Sequence, residues 1–140
     1  MSAAMELLNV LTEYTFWIGF SAMVAGAVYF ALERQALAVE FQPVASLCAA
    51  VAIVAAINYW EMAHLFGSGS VAMESGEFPT RFRYIDWLLT TPMLLAVVPV
   101  LARIEEGRGA LLAKLLVADV IMIAAGFVGE VTINDGMAPT

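Results

Sequence analysis

The sequence is poor in charged residues, which make up 14% of its 140 residues. An average soluble domain carries about 25%, and here hydrophobic residues reach 62%. So little polar side chain cannot cover a water-soluble globule, and the composition therefore favours lipid as the solvent. Acidic residues outnumber basic ones by thirteen to six. Because the basic residues form no patch, nucleic acid is not an expected partner.

Cysteine is almost absent, since Cys48 stands alone. It cannot form an intrachain disulfide, it carries no metal-ligand spacing, and it lies in an apolar run, so we expect an inert packing residue and no metal site. The first residues also lack a basic segment and a small-residue cleavage site. The first apolar run is therefore expected to be a retained span and not a signal peptide.

Four long apolar runs predict membrane-spanning helices. Residues 14–32 and 41–60 carry no charge, and each approaches the roughly 20 residues that cross about 30 Å of hydrocarbon as a helix. The third run reaches full length only if it includes Arg83 and Asp86, and the fourth encloses Asp119. We therefore expect one all-α integral membrane bundle over the whole chain, without separate domains. Its helices are expected at about residues 12–33, 43–64, 80–102 and 109–132.

The basic residues indicate how the bundle is oriented. Arg34 follows the first span, and Arg103, Arg108 and Lys114 lie between the third and fourth spans or at the start of the fourth. The positive-inside rule places both of these linkers in the cytoplasm. The N-terminus, the Gly/Ser-rich linker after the second span and the C-terminus are then outside. The expected localisation is the cell membrane, as a multi-pass protein.

The third span carries charges of both signs in the segment RFRYIDWLLTTP. A helical advance of 100° per residue brings four residues near one face, here called the Asp86 stripe: Arg83, Asp86, Thr90 and Val97. An ionisable group in a span costs at least ~2.5 kcal/mol, so such groups usually face the bundle or a water cavity and mark an ion pathway. By helix geometry alone, an Arg83–Asp86 pair that merely closes the helix at the membrane surface remains an alternative.

Two segments carry a resemblance to a known family. RYIDWLLTTP closely resembles the third-helix signature of microbial rhodopsins, the retinal proteins that act as light-driven pumps and photosensors. LLVADVIMIAAGFVGE resembles their fourth helix, with Asp119 at the matching place and a closing GEV similar to the xanthorhodopsin and proteorhodopsin branch. The resemblance covers nearly all of residues 14–131. It implies helices A to D, the N-terminal part of a seven-helix bundle that is not an enzyme.

The resemblance also implies a cofactor and roles for individual residues. In this family retinal is joined as a protonated Schiff base to a lysine of the seventh helix. Asp86 resembles its counterion and primary proton acceptor, Arg83 the guard of the exit path, and Thr90 the hydroxyl that holds the acceptor. By residue type alone, a small packing residue between helices is an alternative role for Thr90. In relatives, the threonine that matches Thr91 bonds the carboxyl that matches Asp119, and a protonated Asp119 would thus tie two helices.

Seven positions match those that line the retinal slot. Outside this family, most of them would be read as ordinary core residues. The apolar choice at Leu94 resembles green-absorbing proteorhodopsins. The implied retinal-binding residues are Trp87, Thr90, Thr91, Leu94, Met122, Ile123 and Gly126.

The sequence departs from the family pattern at three places. Val97 stands where many pumps carry the carboxylate that reprotonates the Schiff base. Asn58 stands where proteorhodopsins and xanthorhodopsins have a histidine beside the counterion, and His64, farther outward, is not expected to inherit that role. The only lysine is Lys114, near the cytoplasm. A C-terminal rhodopsin fragment with helices E to G is therefore the expected partner, and homo-oligomers remain open.

Three functions compete on this reading. A light-driven outward proton pump leads, because relatives that pump anions or sodium usually replace the carboxylate at the place of Asp86. A sensory rhodopsin photoreceptor is the alternative, because sensors often combine the matching Asp and Thr with an apolar residue at the place of Val97. A four-span membrane interaction module without a chromophore is the third.

Overall fold

A computed structural model describes residues 3–67 and 80–136, and within them the chain forms four α-helices. Each helix contains an apolar stretch long enough to cross a membrane, and the predicted all-α membrane fold is confirmed. Most of the predicted Gly/Ser-rich outer linker lies outside the described residues, as does the side chain of Arg81. The helices are α1 (Ala3–Glu33), α2 (Gln42–Gly67), α3 (Thr80–Leu101) and α4 (Arg108–Gly136).

Three helix ends differ by three or more residues from the expected positions, and one of them is the end of α2, which lies at Gly67 and not near residue 64. Helix α1 begins at Ala3 and not near residue 12, and α4 continues to Gly136 beyond residue 132. The segment AAMELLNVL that opens α1 consists largely of strong helix formers, which hydropathy alone does not reveal. At 1.5 Å per residue, the 31 residues of α1 measure about 46 Å and exceed the roughly 30 Å hydrocarbon core. Part of α1 therefore extends beyond the hydrocarbon core.

Each helix packs on the next one in the chain, α1 on α2, α2 on α3 and α3 on α4. Helix α2 is the most buried of the four spans. Five of its buried residues are alanines, which let neighbouring backbones approach closely where lipid supplies no hydrophobic driving force. They are Ala45, Ala52, Ala55, Ala56 and Ala63.

The α1–α2 contact is built on an aromatic cluster and a glycine. Phe16 packs with Met62, Ala63 and Phe66 in a buried cluster, and Tyr59 lies against it. The ring of Tyr59 also covers Gly19 so closely that a Cβ there would lie 2.6 Å from Cε1 of the ring. This close approach sets the rotation of α2 about its own axis.

We expect Gly19→Ala to weaken this packing. Both Gly19→Ala and Gly26→Ala gain the same helix propensity, but a Cβ at Gly26 meets nothing within 4 Å. The difference between the two variants therefore isolates the clash with Tyr59, which should cost about 1–3 kcal/mol, as overpacking does elsewhere. Denaturant titration in mixed micelles measures the free energy of unfolding. Equal stability of the two variants would refute the tight Gly19–Tyr59 contact.

A side-chain contact links the loop between α1 and α2 to the loop between α3 and α4. Helix α3 ends at Leu101, and Arg103 adopts a φ of 52°. The N–H of Ile104 donates to the carbonyl of Pro99 at 3.1 Å, the wrapped hydrogen bond of a Schellman helix end. The guanidinium of Arg103 then lies 3.7 Å from the carboxylate of Glu40. Both linkers that were predicted to be cytoplasmic therefore lie at one end of the bundle.

Candidate functional site

The Asp86 stripe faces the bundle along most of α3. Thr90 and Val97 are buried, Asp86 is half-buried, and Arg83 is exposed near the start of the helix. If Arg83 and Asp86 only closed the helix at the membrane surface, the buried side of the stripe would not need to continue beyond Asp86. Here the buried part continues for about three turns from Asp86 to Val97.

The carboxylate of Asp86 is held from α2. The side-chain amide nitrogen of Asn58 donates to Oδ1 of Asp86 at 3.2 Å, and also to the backbone carbonyl of Val54 at 3.0 Å. A polar amide in this apolar run of α2 can bond toward the counterion region or satisfy a helix interface. The amide of Asn58 does both, because it bonds the carboxylate of Asp86 and thereby connects α2 to α3.

Thr90 bonds the main chain. Its hydroxyl donates to the backbone carbonyl of Asp86 at 2.8 Å, a bond to the preceding turn that serine and threonine commonly make in helices. In this structure, the hydroxyl expected to hold the carboxylate therefore reaches the carbonyl of the same residue.

Arg83 stacks on an aromatic ring. Its guanidinium carbon lies 5.2 Å from the centre of the Trp87 ring, within the range of a cation–π contact. Within residues 3–67 and 80–136, no ion pair joins Arg83 and Asp86, and the ion pair present joins Arg103 and Glu40. The structure therefore does not contain the helix-closing Arg83–Asp86 pair.

Thr91 and Asp119 join α3 to α4. The hydroxyl oxygen of Thr91 lies 2.7 Å from Oδ2 of Asp119 and 2.7 Å from the backbone carbonyl of Trp87. Asp119 is buried. A hydroxyl has one proton to donate, so both contacts are hydrogen bonds at once if Thr91 donates to the carbonyl and a protonated Asp119 donates to Thr91. The expected Thr91–Asp119 contact is present.

We expect Thr91→Val to loosen the α3–α4 pair. The substitution keeps the shape of the side chain but leaves the buried carboxyl of Asp119 without this partner, which typically costs about 1–3 kcal/mol. Thr12→Val is the control, because the exposed hydroxyl of Thr12 donates within α1, to the carbonyl of Leu8. The free energy of unfolding in mixed micelles should fall for Thr91→Val alone. Equal values for both variants would mean that the bond does not tie the helices.

The predicted retinal-lining residues divide between two sides of the α3–α4 contact. Trp87, Leu94 and Met122 are 37%, 46% and 57% exposed, and by helical position they lie on one side. Together they form an open apolar face beside the Asp86 stripe. Ile123 is 6% exposed and lies on the other side. At Gly126, a Cβ would meet the ring of Tyr84 at 3.3 Å, so Tyr84 occupies the gap in this structure.

Ile123 lines a separate groove of about 440 Å³ on that other side of α3 and α4. The groove is apolar and turned away from the side that holds Trp87 and Met122. Its lining residues are Tyr84, Ile85, Leu88, Val120, Ile123, Ala124 and Phe127.

The open apolar face fits a flat, apolar, cationic cofactor in its chemistry. Trp87 supplies a planar aromatic wall, Leu94 and Met122 supply aliphatic contacts, and the carboxylate of Asp86 lies next to them with one donor from Asn58. A carboxylate in a span needs a positive partner or a water cavity, and a cation on this face meets that need. Lys114 is exposed near the Arg108 end of α4, away from this carboxylate.

His64 lies among aromatic side chains at the end of α2. Its ring is 4.2 Å from that of Trp60 and 5.4 Å from that of Trp17, measured between centroids. Its Nδ1 is 3.0 Å from the backbone carbonyl of Trp60. Six residues along a helix also turn it to a different face from Asn58. The histidine is therefore placed in the α1–α2 contact, apart from the carboxylate.

Residues 10–139 match the profile of the family described as bacteriorhodopsin-like proteins. The chain belongs to this family. As a rhodopsin-family chain it is a multi-pass membrane protein, and its family binds retinal, includes light-driven ion pumps and is not a family of enzymes. The resemblance found in the sequence is confirmed.

Relatives and solved structures agree with this assignment. The rhodopsin-family chain is 34% identical over 120 residues to a green-light absorbing proteorhodopsin of a gamma-proteobacterium, covering 85% of this chain and 46% of the relative. The crystal structure of Exiguobacterium sibiricum rhodopsin superposes with a TM-score of 0.76 at 43% identity, covering 94% of this chain and 53% of that one. Xanthorhodopsin, described as a light-driven ion pump with dual chromophore, gives a TM-score of 0.77 at 28% identity, covering 88% and 52%. The chain thus spans about half the length of these relatives.

Proposed function

We propose that this chain is the counterion-bearing part of a retinal-binding, light-driven outward proton pump. The half-buried carboxylate of Asp86, held by Asn58 beside an open apolar face, carries the proposal. Helices E to G and the Schiff-base lysine would come from a C-terminal rhodopsin segment, which the experiments below supply as a second polypeptide. The assembly of this chain with that polypeptide and retinal is called the completed pigment below.

The open apolar face is the proposed wall of the retinal site. Trp87, Leu94 and Met122 would contact the polyene directly, and Thr90 and Thr91 would line the wall between them. Ile123 and Gly126 would support the wall from behind, since Ile123 is buried on the far side of α4 and Gly126 lies against Tyr84. Residues 1–140 would then form one unit of the bundle, with the N-terminus outside, as the positive-inside rule favours.

Proton transfer would use the residues of the Asp86 stripe in order. When bound, retinal supplies a protonated Schiff base whose proton becomes available after light absorption. Asp86 is the proposed acceptor, because its carboxylate is the ionisable group of the stripe that faces the bundle. Arg83, at the outer mouth and stacked on Trp87, keeps a positive charge beyond the acceptor. That charge would favour the ionised form of the acceptor once the proton has left.

The cytoplasmic half of the stripe holds no carboxyl at the expected donor position. Val97 is buried there, and a branched aliphatic side chain neither carries nor releases a proton. Protons would therefore enter from cytoplasmic water directly. Asp119, protonated and bonded to Thr91, would hold α3 and α4 together as a structural group of the wall and take no part in transport.

Light-driven proton release by cells tests the proposal. Cells that produce the completed pigment should acidify their medium on illumination, and a protonophore should abolish the change. The matched control is the same cells without retinal, which should give no change in pH. A pigment that absorbs visible light but moves no protons in sustained illumination would overturn the pump assignment.

A sensory photoreceptor is the second candidate, and Val97 is the observation that favours it. Without an internal donor, the dark state recovers slowly when few protons are available, and a long-lived signalling state suits a sensor. Sustained transport under continuous light separates the two functions, because a sensor would take back each released proton without net transport across the membrane.

A further inference from the structure

We propose that Asn58 is a positioning residue that fixes the carboxylate of Asp86 and connects it to the backbone of α2. The inference rests on the proposed function for its effect on transport, whereas the hydrogen bonds themselves are independent of it. Asn58 is half-buried, and it donates at the same time to Oδ1 of Asp86 at 3.2 Å and to the carbonyl of Val54 at 3.0 Å.

The two bonds together determine the direction of the amide. An NH₂ group has two hydrogens, so both bonds can form at once without competition. The bond to Val54 fixes the side-chain torsion on the residue's own helix, and the second hydrogen then points to α3. A single bond to Asp86 would leave the amide free to rotate with the carboxylate. With both, the carboxylate has one preferred orientation.

The adjacent residue keeps α2 in the rotation that this geometry requires. Tyr59 packs against Gly19 of α1 and, at 6.5 Å between ring centroids, against Phe16. One residue along a helix is a turn of about 100°. The α1–α2 contact through Tyr59 therefore directs Asn58 toward α3, and α1 contributes indirectly to the position of the acceptor.

The chemistry of an amide gives Asn58 a distinct role. It remains neutral at all pH values at which the protein is folded, so it donates a hydrogen bond to Asp86 but never takes its proton. On the neighbouring turns of α3, the guanidinium of Arg83 stacks on Trp87 and the hydroxyl of Thr90 bonds the main chain. The proton that reaches Asp86 therefore stays on one carboxyl until it leaves.

Two spectroscopic measurements on the completed pigment test this role. Solid-state NMR on bilayers, with ¹⁵N in the asparagine side chains and ¹³C in the aspartate carboxyls, should detect dipolar coupling between Asn58 and Asp86. In light-minus-dark infrared spectra, Asn58→Leu should move the C=O stretch of protonated Asp86 to higher wavenumber, because the carbonyl loses a hydrogen-bond donor. Transport by this variant should slow about tenfold, as expected from losing a bond to a charged group.

Asn9→Leu is the matched control, since it makes the same substitution on α1. The side-chain oxygen of Asn9 is buried without a hydrogen-bond partner in the described part of the chain, and the residue lies outside the Asp86 stripe. This variant should leave the infrared band and the transport rate unchanged. Absence of the coupling, or an Asn58→Leu pigment with the unmodified band and rate, would overturn the positioning role while the pump assignment stands. Failure of the unmodified pigment to transport protons would overturn the pump assignment and the effect on transport, whereas the coupling would still report the bond.

Discussion

Asp86→Asn should abolish light-driven transport in the completed pigment and shift its absorption to the red. The substitution removes the negative charge that stabilises the cationic linkage of retinal, so the positive charge spreads along the polyene and the excitation energy falls. It also removes the acceptor, and general acid–base groups typically contribute about 10²–10⁴-fold. A transport assay in cells and an absorption spectrum of the purified pigment measure the two effects.

Acidification offers a second measurement of the same assignment. Lowering the pH should convert the unmodified pigment to a red-shifted form as Asp86 takes up a proton, whereas the Asp86→Asn pigment should already be red-shifted and respond little. Glu61→Gln is the control, because it neutralises a carboxylate of α2 outside the Asp86 stripe, and it should leave the titration and sustained transport in place. Outward transport by Asp86→Asn at the unmodified rate would refute the role of Asp86 as acceptor.

Proton uptake by the pigment should depend steeply on cytoplasmic pH because of Val97. This residue is buried on the Asp86 stripe, eleven positions beyond the acceptor, which is about 16 Å along the helix. Without a carboxyl there, each turnover must draw a proton from bulk water. Recovery of the dark absorption after a flash should therefore slow by about tenfold for each rise of one pH unit, if direct uptake limits the step.

Val97→Asp should flatten that dependence. A carboxyl in an apolar channel favours its neutral form, so the new side chain would be protonated and ready to donate at neutral pH. Val97→Asn is the matched control, because it introduces a polar side chain of the same size that cannot donate a proton in this way, and it should keep the steep dependence. Flash photolysis between mildly acid and alkaline pH measures the rates. Recovery that is already independent of pH in the unmodified pigment would mean that another internal donor exists.

The four spans could be predicted because lipid imposes a simple rule of length and apolarity. The rule does not extend to parts of a helix outside the hydrocarbon, and the start of α1 at Ala3 was accordingly missed. Helix propensity in residues 3–11 carried that information. The close contact of Tyr59 with Gly19 had no sequence signal apart from the glycine itself, because many glycines in spans have open space beside them, as Gly26 does.

At the site, the sequence and its family resemblance identified the residues of interest. They gave less information on the atoms that these residues contact. The Thr91–Asp119 contact was expected and is present, because both residues project from facing helices at matching depth. The main-chain bond of Thr90 and the stacking of Arg83 could not be derived, since both depend on rotamers. The two bonds of Asn58 depend on its rotamer in the same way. Its signal was a lone amide in an apolar run, which needs a partner inside the bundle.

The proposal that this chain supplies the counterion half of a retinal pigment predicts that the completed pigment absorbs visible light. Its most direct test is the visible absorption spectrum after this chain and a polypeptide with helices E to G are produced together and supplied with retinal. We expect a visible band, far to the red of free retinal, that disappears when the intramembrane lysine of the second polypeptide is replaced. If both polypeptides assemble in the membrane but the spectrum remains that of free retinal, the chain would instead be a membrane interaction module without a chromophore.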